Sequence, residues 1–286
     1  MIKLLVKKCS YIIPDKWYLA LRYRMKLGQW PNLKNPQLYT EKLQWLKLYD
    51  RKPEYTTMVD KYEAKKYIAD IVGDQYIIPT YGVWEKFDDI DFESLPNRFV
   101  LKCTHNSGGV IVCMDKQSFD IDKARKVIED CLRENYYWHS REWQYKNVKP
   151  RIIAEEYLYD TDYPDDSIMD YKFLCFDGEP KLIYYAEENT DDPYADIYDM
   201  NFQKQNIQFP EPNSPVIAKE PERFEEMKEI ARKLSKHSAH LRVDFYNVKG
   251  KLYVGELTFY HCAGIFHIQP EKWNRILGDW ITLPKK

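Results

Sequence analysis

Four polar side chains near the end of the chain, Arg242, Asp244, Glu256 and Thr258, are spaced to do chemistry together. They lie in LRVDFYN (241–247) and KLYVGELTF (251–259), which read as two strands turning at Val248, Lys249 and Gly250. A three-residue turn with Gly250 in the left-handed position sets Asp244 opposite Val254 and Glu256 diagonally across on the same face, with Arg242 and Thr258 beside them. Alternation sends Val243, Phe245, Tyr253, Leu257 and Phe259 the other way, towards a core. Two carboxylates held close raise each other's pKa unless a cation sits between them. Mg²⁺, which binds through one or two carboxylates plus substrate phosphates, meets that need. A solvated polar strand face with Arg242 as a surface partner accounts for the same pattern.

A second constellation begins at Lys102, near the end of the apolar strand 98–103. Thr104, His105, Asn106, Ser107, Gly108 and Gly109 follow before VIVC (110–113) resumes the strand. Glycines let backbone N–H groups approach phosphate closely, and a lysine supplies point charge. An ordinary hairpin turn explains Gly108 and Gly109 equally well, and a Walker loop is excluded because no Gly-Lys-Ser/Thr opens a helix. Further on, Glu155, Glu156, Tyr157 and Leu158 end another apolar strand, where extended backbone can serve adenine and an acid can serve ribose. Lys172, evenly spaced from Leu174 and Phe176, shares their face and meets either phosphate or solvent.

The elements that must position these residues alternate between helices and hairpins. Helices are expected over 40–50, with Thr40 as cap, over 57–72, ended by Gly73, over 122–135 and over 221–237. Residues 76–84 read as extended, and DYKFLCF (170–176) with KLIYYA (181–186) flank a turn at Asp177 and Gly178. Residues 187–221, rich in Asp, Pro and Asn, read as irregular. Three hairpins separated by helices give an α+β chain with antiparallel sheets in more than one lobe, which excludes a doubly wound dinucleotide-binding sheet.

With 286 residues, 44% hydrophobic and 31% charged, the chain suits a catalytic unit of two or three lobes, and a net charge of −2 argues against nucleic acid as a partner. Residues 1–28 depart from that balance, carrying Lys3, Lys7, Lys8, Lys16, Arg22, Arg24 and Lys26 against Asp15 alone. They form either a basic helix packed on its own domain or a peripheral contact with an anionic membrane. No apolar run reaches the roughly 18 residues of a membrane span, so the expected place is the cytoplasm, or its inner membrane face if the basic segment docks. Cys9, Cys103, Cys113, Cys131, Cys175 and Cys262 are scattered without a CxxC pair and read as reduced thiols. His237 and His240, placed on one helix face, and His261 lack recognised ligand spacing for zinc.

The order of these segments resembles that of ATP-grasp enzymes, from DKYEAKKYIADIVGDQYIIPTYGVW (60–84) through FVLKCTHNSGGVIV, IIAEEYL and DYKFLCFDGEPKLI to RVDFYNVKGKLYVGELTF. NPQLYTEKLQWLKLYDRKPEYTTMVDKYEAK and YKNVKPRIIAEEYL are similar in particular to the TupA-like group associated with teichuronopeptide and capsular polysaccharide synthesis. The resemblance implies antiparallel sheets in two lobes clasping a nucleotide cleft, with a helical segment over 1–56, a small lobe with a phosphate loop over 57–154 and a large lobe with a metal site over 155–286. It implies that Lys61 and Lys102 hold phosphates of ATP, that His105, Ser107, Gly108 and Gly109 belong to a mobile loop over them, and that Glu155, Tyr157 and Leu158 form the adenine hinge. Asp244 and Glu256 would hold Mg²⁺, with Thr258 where many relatives have an asparagine ligand, and Arg242 would act with Lys102 on the reacting phosphate or carboxylate. The implied activity is ligation of an amine or amino acid to a uronic acid carboxylate of a surface polysaccharide or a lipid-linked sugar, through an acyl phosphate. A sugar kinase and a non-catalytic nucleotide-binding subunit are the alternatives.

Overall fold

The computed structural model describes residues 11–160, 168–187 and 194–285, the side chain of Glu187 excepted. Among them the helices are α1 (Asp15–Leu27), α2 (Tyr39–Tyr49), α3 (Glu54–Val59), α4 (Glu63–Val72), α5 (Ile121–Leu132), α6 (Tyr137–Ser140), α7 (Phe224–Ser235) and α8 (Lys272–Asp279). The strands are β1 (Thr80–Trp84), β2 (Phe99–Cys103), β3 (Val110–Cys113), β4 (Ile152–Glu156), β5 (Met169–Phe176), β6 (Glu179–Glu187), β7 (Tyr194–Asp199), β8 (His240–Val248) and β9 (Lys251–Thr258). The chain divides into two units, 52–160 and 1–51 together with 161–286, so the expected boundary at 155 falls inside β4.

The unit 52–160 holds an antiparallel sheet ordered β1-β4-β2-β3. Alternation along β2 sends Phe99, Leu101 and Cys103 to a core shared with Ala124 and Ile128 of α5 and Ile152 and Ala154 of β4. Val100 and Lys102 take the other face, where β4 contributes Ile153 and Glu155. The helix expected over 57–72 is two helices, because Asp60 breaks it. Asp60 Oδ1 accepts from the N–H groups of Tyr62 (2.9 Å) and Glu63 (3.4 Å), and Oδ2 from Arg151 at 2.7 Å. A buried carboxylate capping the new helix in this way offsets the lost helical bonds.

The second unit holds an antiparallel sheet ordered β7-β6-β5-β8-β9. One face carries Phe173, Val243, Phe245 and Leu257 and packs on α7, where Phe224 lies 5.9 Å from the Phe173 ring. The other face carries Lys172, Tyr184, Arg242, Asp244, Glu256 and Thr258 in cross-strand register. The region 187–221 is not wholly irregular as expected: β7 pairs with β6, while residues 188–193 lie outside the described residues. Its acidic residues disguise it, for Asp196 is buried against Lys204 at 2.8 Å.

Thr40 does not cap α2; the Glu41 carboxylate accepts from the N–H groups of Leu38, Gln37 and Asn32, leaving the Thr40 hydroxyl to Tyr23 at 2.9 Å. His240 lies in β8 and shares no helix face with His237, since α7 ends at Ser235. There its Nδ1–H donates to the Phe259 carbonyl (2.8 Å) and its Nε2 accepts from the Tyr39 hydroxyl (3.0 Å). Among the described residues no helix is long and apolar enough to cross a membrane.

Candidate functional site

The β8–β9 ribbon differs from its expected register in a way that favours a paired site. Lys249 (φ 50°) and Gly250 (φ 75°) both take left-handed angles, so the turn has two residues, with Val248 paired to Lys251. Phe245 then pairs with Val254, but Asp244 pairs with Glu256: Gly255 is an extra residue, a β-bulge. Asp244 therefore faces Glu256 directly, not Val254, and Arg242 faces Thr258. A side chain on Gly255 would lie 2.6 Å from the Tyr246 ring, which explains the glycine.

Arg242 grips Asp244 with both arms of its guanidinium, Nε to Oδ1 at 2.7 Å and Nη2 to Oδ2 at 2.6 Å, and lies 3.8 Å from Glu256. Its Nη1 donates to Nδ1 of His261 at 3.0 Å, which places the imidazole proton on Nε2. Burial and Asp170 push the Asp244 carboxyl up against the pull of Arg242, while Asp244 holds the guanidinium charged despite its burial. Lys172 is buried, so solvent is not its partner. It neighbours Asp244 in the ladder, binds Asp170 at 2.7 Å and lies 5.9 Å from the Tyr184 ring centre. The Thr258 hydroxyl is buried with no hydrogen-bond partner among the described residues.

In the unit 52–160 the organising group is Glu155. Its carboxylate receives Lys65 at 2.7 Å and Lys102 at 2.6 Å, and its side chain is only 5% exposed. Burial favours the neutral acid, but the two ammonium groups outweigh it and hold the carboxyl below its ordinary range. Burial pulls the Lys65 ammonium down against the same pairing. Sequence reasoning found Lys102 and Glu155 and missed Lys65, which stands in the first turn of α4 and whose partner is distant in sequence. Tyr157 and Leu158 follow β4 as half-buried residues, with the Tyr157 and Tyr159 rings stacked 6.1 Å apart.

The loop after β2 divides into an anchored base and an open tip. His105 is buried and its Nε2–H is shared between the carbonyls of Cys131 and Glu134, each at 3.1 Å, so it secures the base of the loop. Asn106 donates to the Cys131 sulfur and accepts from the Gly108 N–H at 3.0 Å, while its own carbonyl takes the Lys61 ammonium at 2.5 Å. Gly109 is left-handed (φ 65°), and a Cβ there would sit 2.3 Å from the Cys131 sulfur. Ser107 and Gly108 are exposed, and Gly108 has open space around it. An exposed Ser-Gly tip beside two lysines is suited to an anion.

Two antiparallel sheets with helices give the α+β architecture of an ATP-grasp protein. The chain belongs to the TupA-like ATP-grasp family, whose sequence profile matches residues 41–282. No curated protein matches it. Solved structures to which it is similar include D-alanine–D-alanine ligase from Bacillus anthracis, at 19% identity over 78% of this chain and 65% of that one with a TM-score of 0.47. The corresponding ligase from Helicobacter pylori is 15% identical over 85% and 69%, with a TM-score of 0.44. An L-amino acid ligase from Bacillus licheniformis is 16% identical over 77% and 46%, with a TM-score of 0.42. The chain thus spans less than two thirds of the Bacillus anthracis and Bacillus licheniformis proteins.

Proposed function

We propose that this chain is an ATP- and Mg²⁺-dependent carboxylate–amine ligase, and that its carboxylate is a uronic acid of a bacterial surface polysaccharide or of a lipid-linked precursor. The observation that carries the reading is the opposed pair Asp244 and Glu256, held level by a bulge on a buried polar face with Arg242 and Lys172.

The residues present fit Mg²⁺. Among the described residues no group of three or more His, Cys, Asp or Glu forms a self-sufficient metal cage, whereas two carboxylates and an unpartnered hydroxyl suit an ion completed by phosphate oxygens. The bidentate Arg242 pair occupies two of the roughly four lone-pair positions of the Asp244 carboxylate, leaving the others for a metal. Asp244, Glu256 and the Thr258 hydroxyl are the proposed ligands, and bound Mg²⁺ would neutralise charge on the triphosphate.

The protein's own contribution is positional. Lys61, Lys102 and the Ser107 N–H hold phosphate, and the backbone of Tyr157 and Leu158, beyond the paired end of β4, takes adenine. Lys102 has to turn from Glu155 to a phosphate, which Lys65 makes less costly because it leaves Glu155 paired. Arg242 orients the carboxylate for attack on the γ-phosphorus; the amine then displaces phosphate from the acyl phosphate. Phosphoryl transfer of this kind requires charge and alignment and no protein nucleophile.

The test is to incubate the purified chain with ATP, Mg²⁺, a panel of uronic acids and a panel of amines, following ADP, inorganic phosphate and amide. Equal amounts of all three support the ligase. A phosphorylated sugar with ADP and no free phosphate indicates a kinase, and no turnover together with no nucleotide binding would remove both readings.

A further inference from the structure

We propose that the outer face of α1 and its flanking residues form a peripheral docking surface for an anionic lipid bilayer. This inference stands independently of the ligase reading.

A surface helix ordinarily buries one apolar stripe and turns a polar one to water. Helix α1 buries Tyr18, Leu19 and Tyr23 in its own unit. Its opposite side, one helical face by periodicity, carries Trp17, Leu21 and Arg24, and Trp17 is 67% exposed. Just before the helix Ile12 is 84% exposed, and just after it Trp30 is 60% exposed. The helix is thus apolar on two sides, and its core explains only one of them.

Charge selects the occupant. Between residues 11 and 34 stand Lys16, Arg22, Arg24, Lys26 and Lys34 against Asp15 alone, and Asp15 is neutralised by Arg51 at 2.7 Å. Lys16, Arg24 and Lys26 are exposed, and by the helical period Arg24 shares the face of Trp17 while Lys16 flanks it. The whole chain carries a net charge of −2, so this cationic surface is local and would orient the molecule on an anionic sheet. Tryptophan at the headgroup level, an aliphatic side chain pointing outwards and bases around them are the composition of an interfacial contact. Because no described helix can cross a bilayer, the contact lies on the surface. An acidic glycan would also attract the bases, but an outward isoleucine gives it nothing to bond.

The experiment uses the full chain and flotation with vesicles of phosphatidylcholine alone or mixed with phosphatidylglycerol, at low and high salt. We expect binding to the anionic vesicles only, weakening with salt. The charge variant Lys16→Glu with Arg24→Glu should lower partitioning at least about tenfold, and the apolar variant Ile12→Ser with Trp17→Ser should lower it as well, both with unchanged melting. Absence of vesicle binding overturns the proposal, as does binding that survives either variant. It is overturned equally if soluble polygalacturonate binds the same face and vesicles do not, or if the variants convert a dimer to a monomer without altering flotation.

Discussion

Asp244 and Glu256 are direct cross-strand partners, and one extra residue, Gly255, is what brings them level. Without the bulge, the register set at the turn would carry Asp244 onto Gly255 and place Glu256 opposite Val243. The two acids would then project from opposite sides of the ribbon. Replacing Gly255 with alanine drives a methyl against the Tyr246 ring and should cost about 1–3 kcal/mol of stability. It should weaken Mg²⁺-dependent nucleotide binding more than Mg²⁺-independent binding, which calorimetry with and without the metal would measure.

The same pair separates function from stability. Glu256 is 31% exposed on its side chain, so Glu256→Gln should leave unfolding within about 0.5 kcal/mol while lowering Mg²⁺ affinity by at least about a hundredfold. Asp244 is nearly sealed and is the bidentate partner of a buried guanidinium. Asp244→Ala should therefore lose metal binding and also cost about 3–5 kcal/mol, because Arg242 is left charged and buried. Denaturant melts beside Mg²⁺ titrations decide it; equal destabilisation by both variants would contradict the assignment.

Much of this was legible in the sequence, and the failures have physical causes. Alternation alone put Arg242, Asp244, Glu256 and Thr258 on one face, and Asp177 with Gly178 gave the right turn between β5 and β6. The register was not legible, because it depends on Lys249 accepting a left-handed angle that its side chain disfavours and on a bulge that leaves no mark beyond one glycine. That His105 anchors its loop was not legible either, because its carbonyl partners, Cys131 and Glu134, lie at the end of a helix that the loop's own residues do not announce. Lys65 was hidden for the same reason: its value comes from Glu155, a residue distant in sequence.

Glu155 predicts a pH dependence. Its carboxyl is held below its ordinary value in the folded chain, so the stability it contributes is fully present above the unfolded-state value of about 4.3 and is lost as pH falls through the lower folded value. Glu155→Gln removes that contribution at every pH and strands two lysines, costing about 3–5 kcal/mol near neutrality. Unfolding free energies taken from neutral pH down to strong acid should converge for the two proteins at the acid end. Parallel curves would mean that Glu155 is not the titrating group.

The loop after β2 offers the last contrast, between two adjacent glycines. Gly109 occupies a left-handed angle and its missing Cβ points at the sulfurs of Cys131 and Cys103, at 2.3 and 3.1 Å. Gly109→Ala adds backbone strain of about 1–2 kcal/mol to an overpacked contact of about 1–3 kcal/mol, so the variant should melt markedly earlier. Gly108 has neither restriction, and Gly108→Ala should leave the melting curve in place. If the tip closes on phosphate through the Ser107 N–H, that methyl still stands in the path of approach. ATP binding should then weaken about tenfold in a protein that is otherwise unaltered. Full ATP affinity in Gly108→Ala would remove the tip from the phosphate site while leaving Lys61 and Lys102 in it.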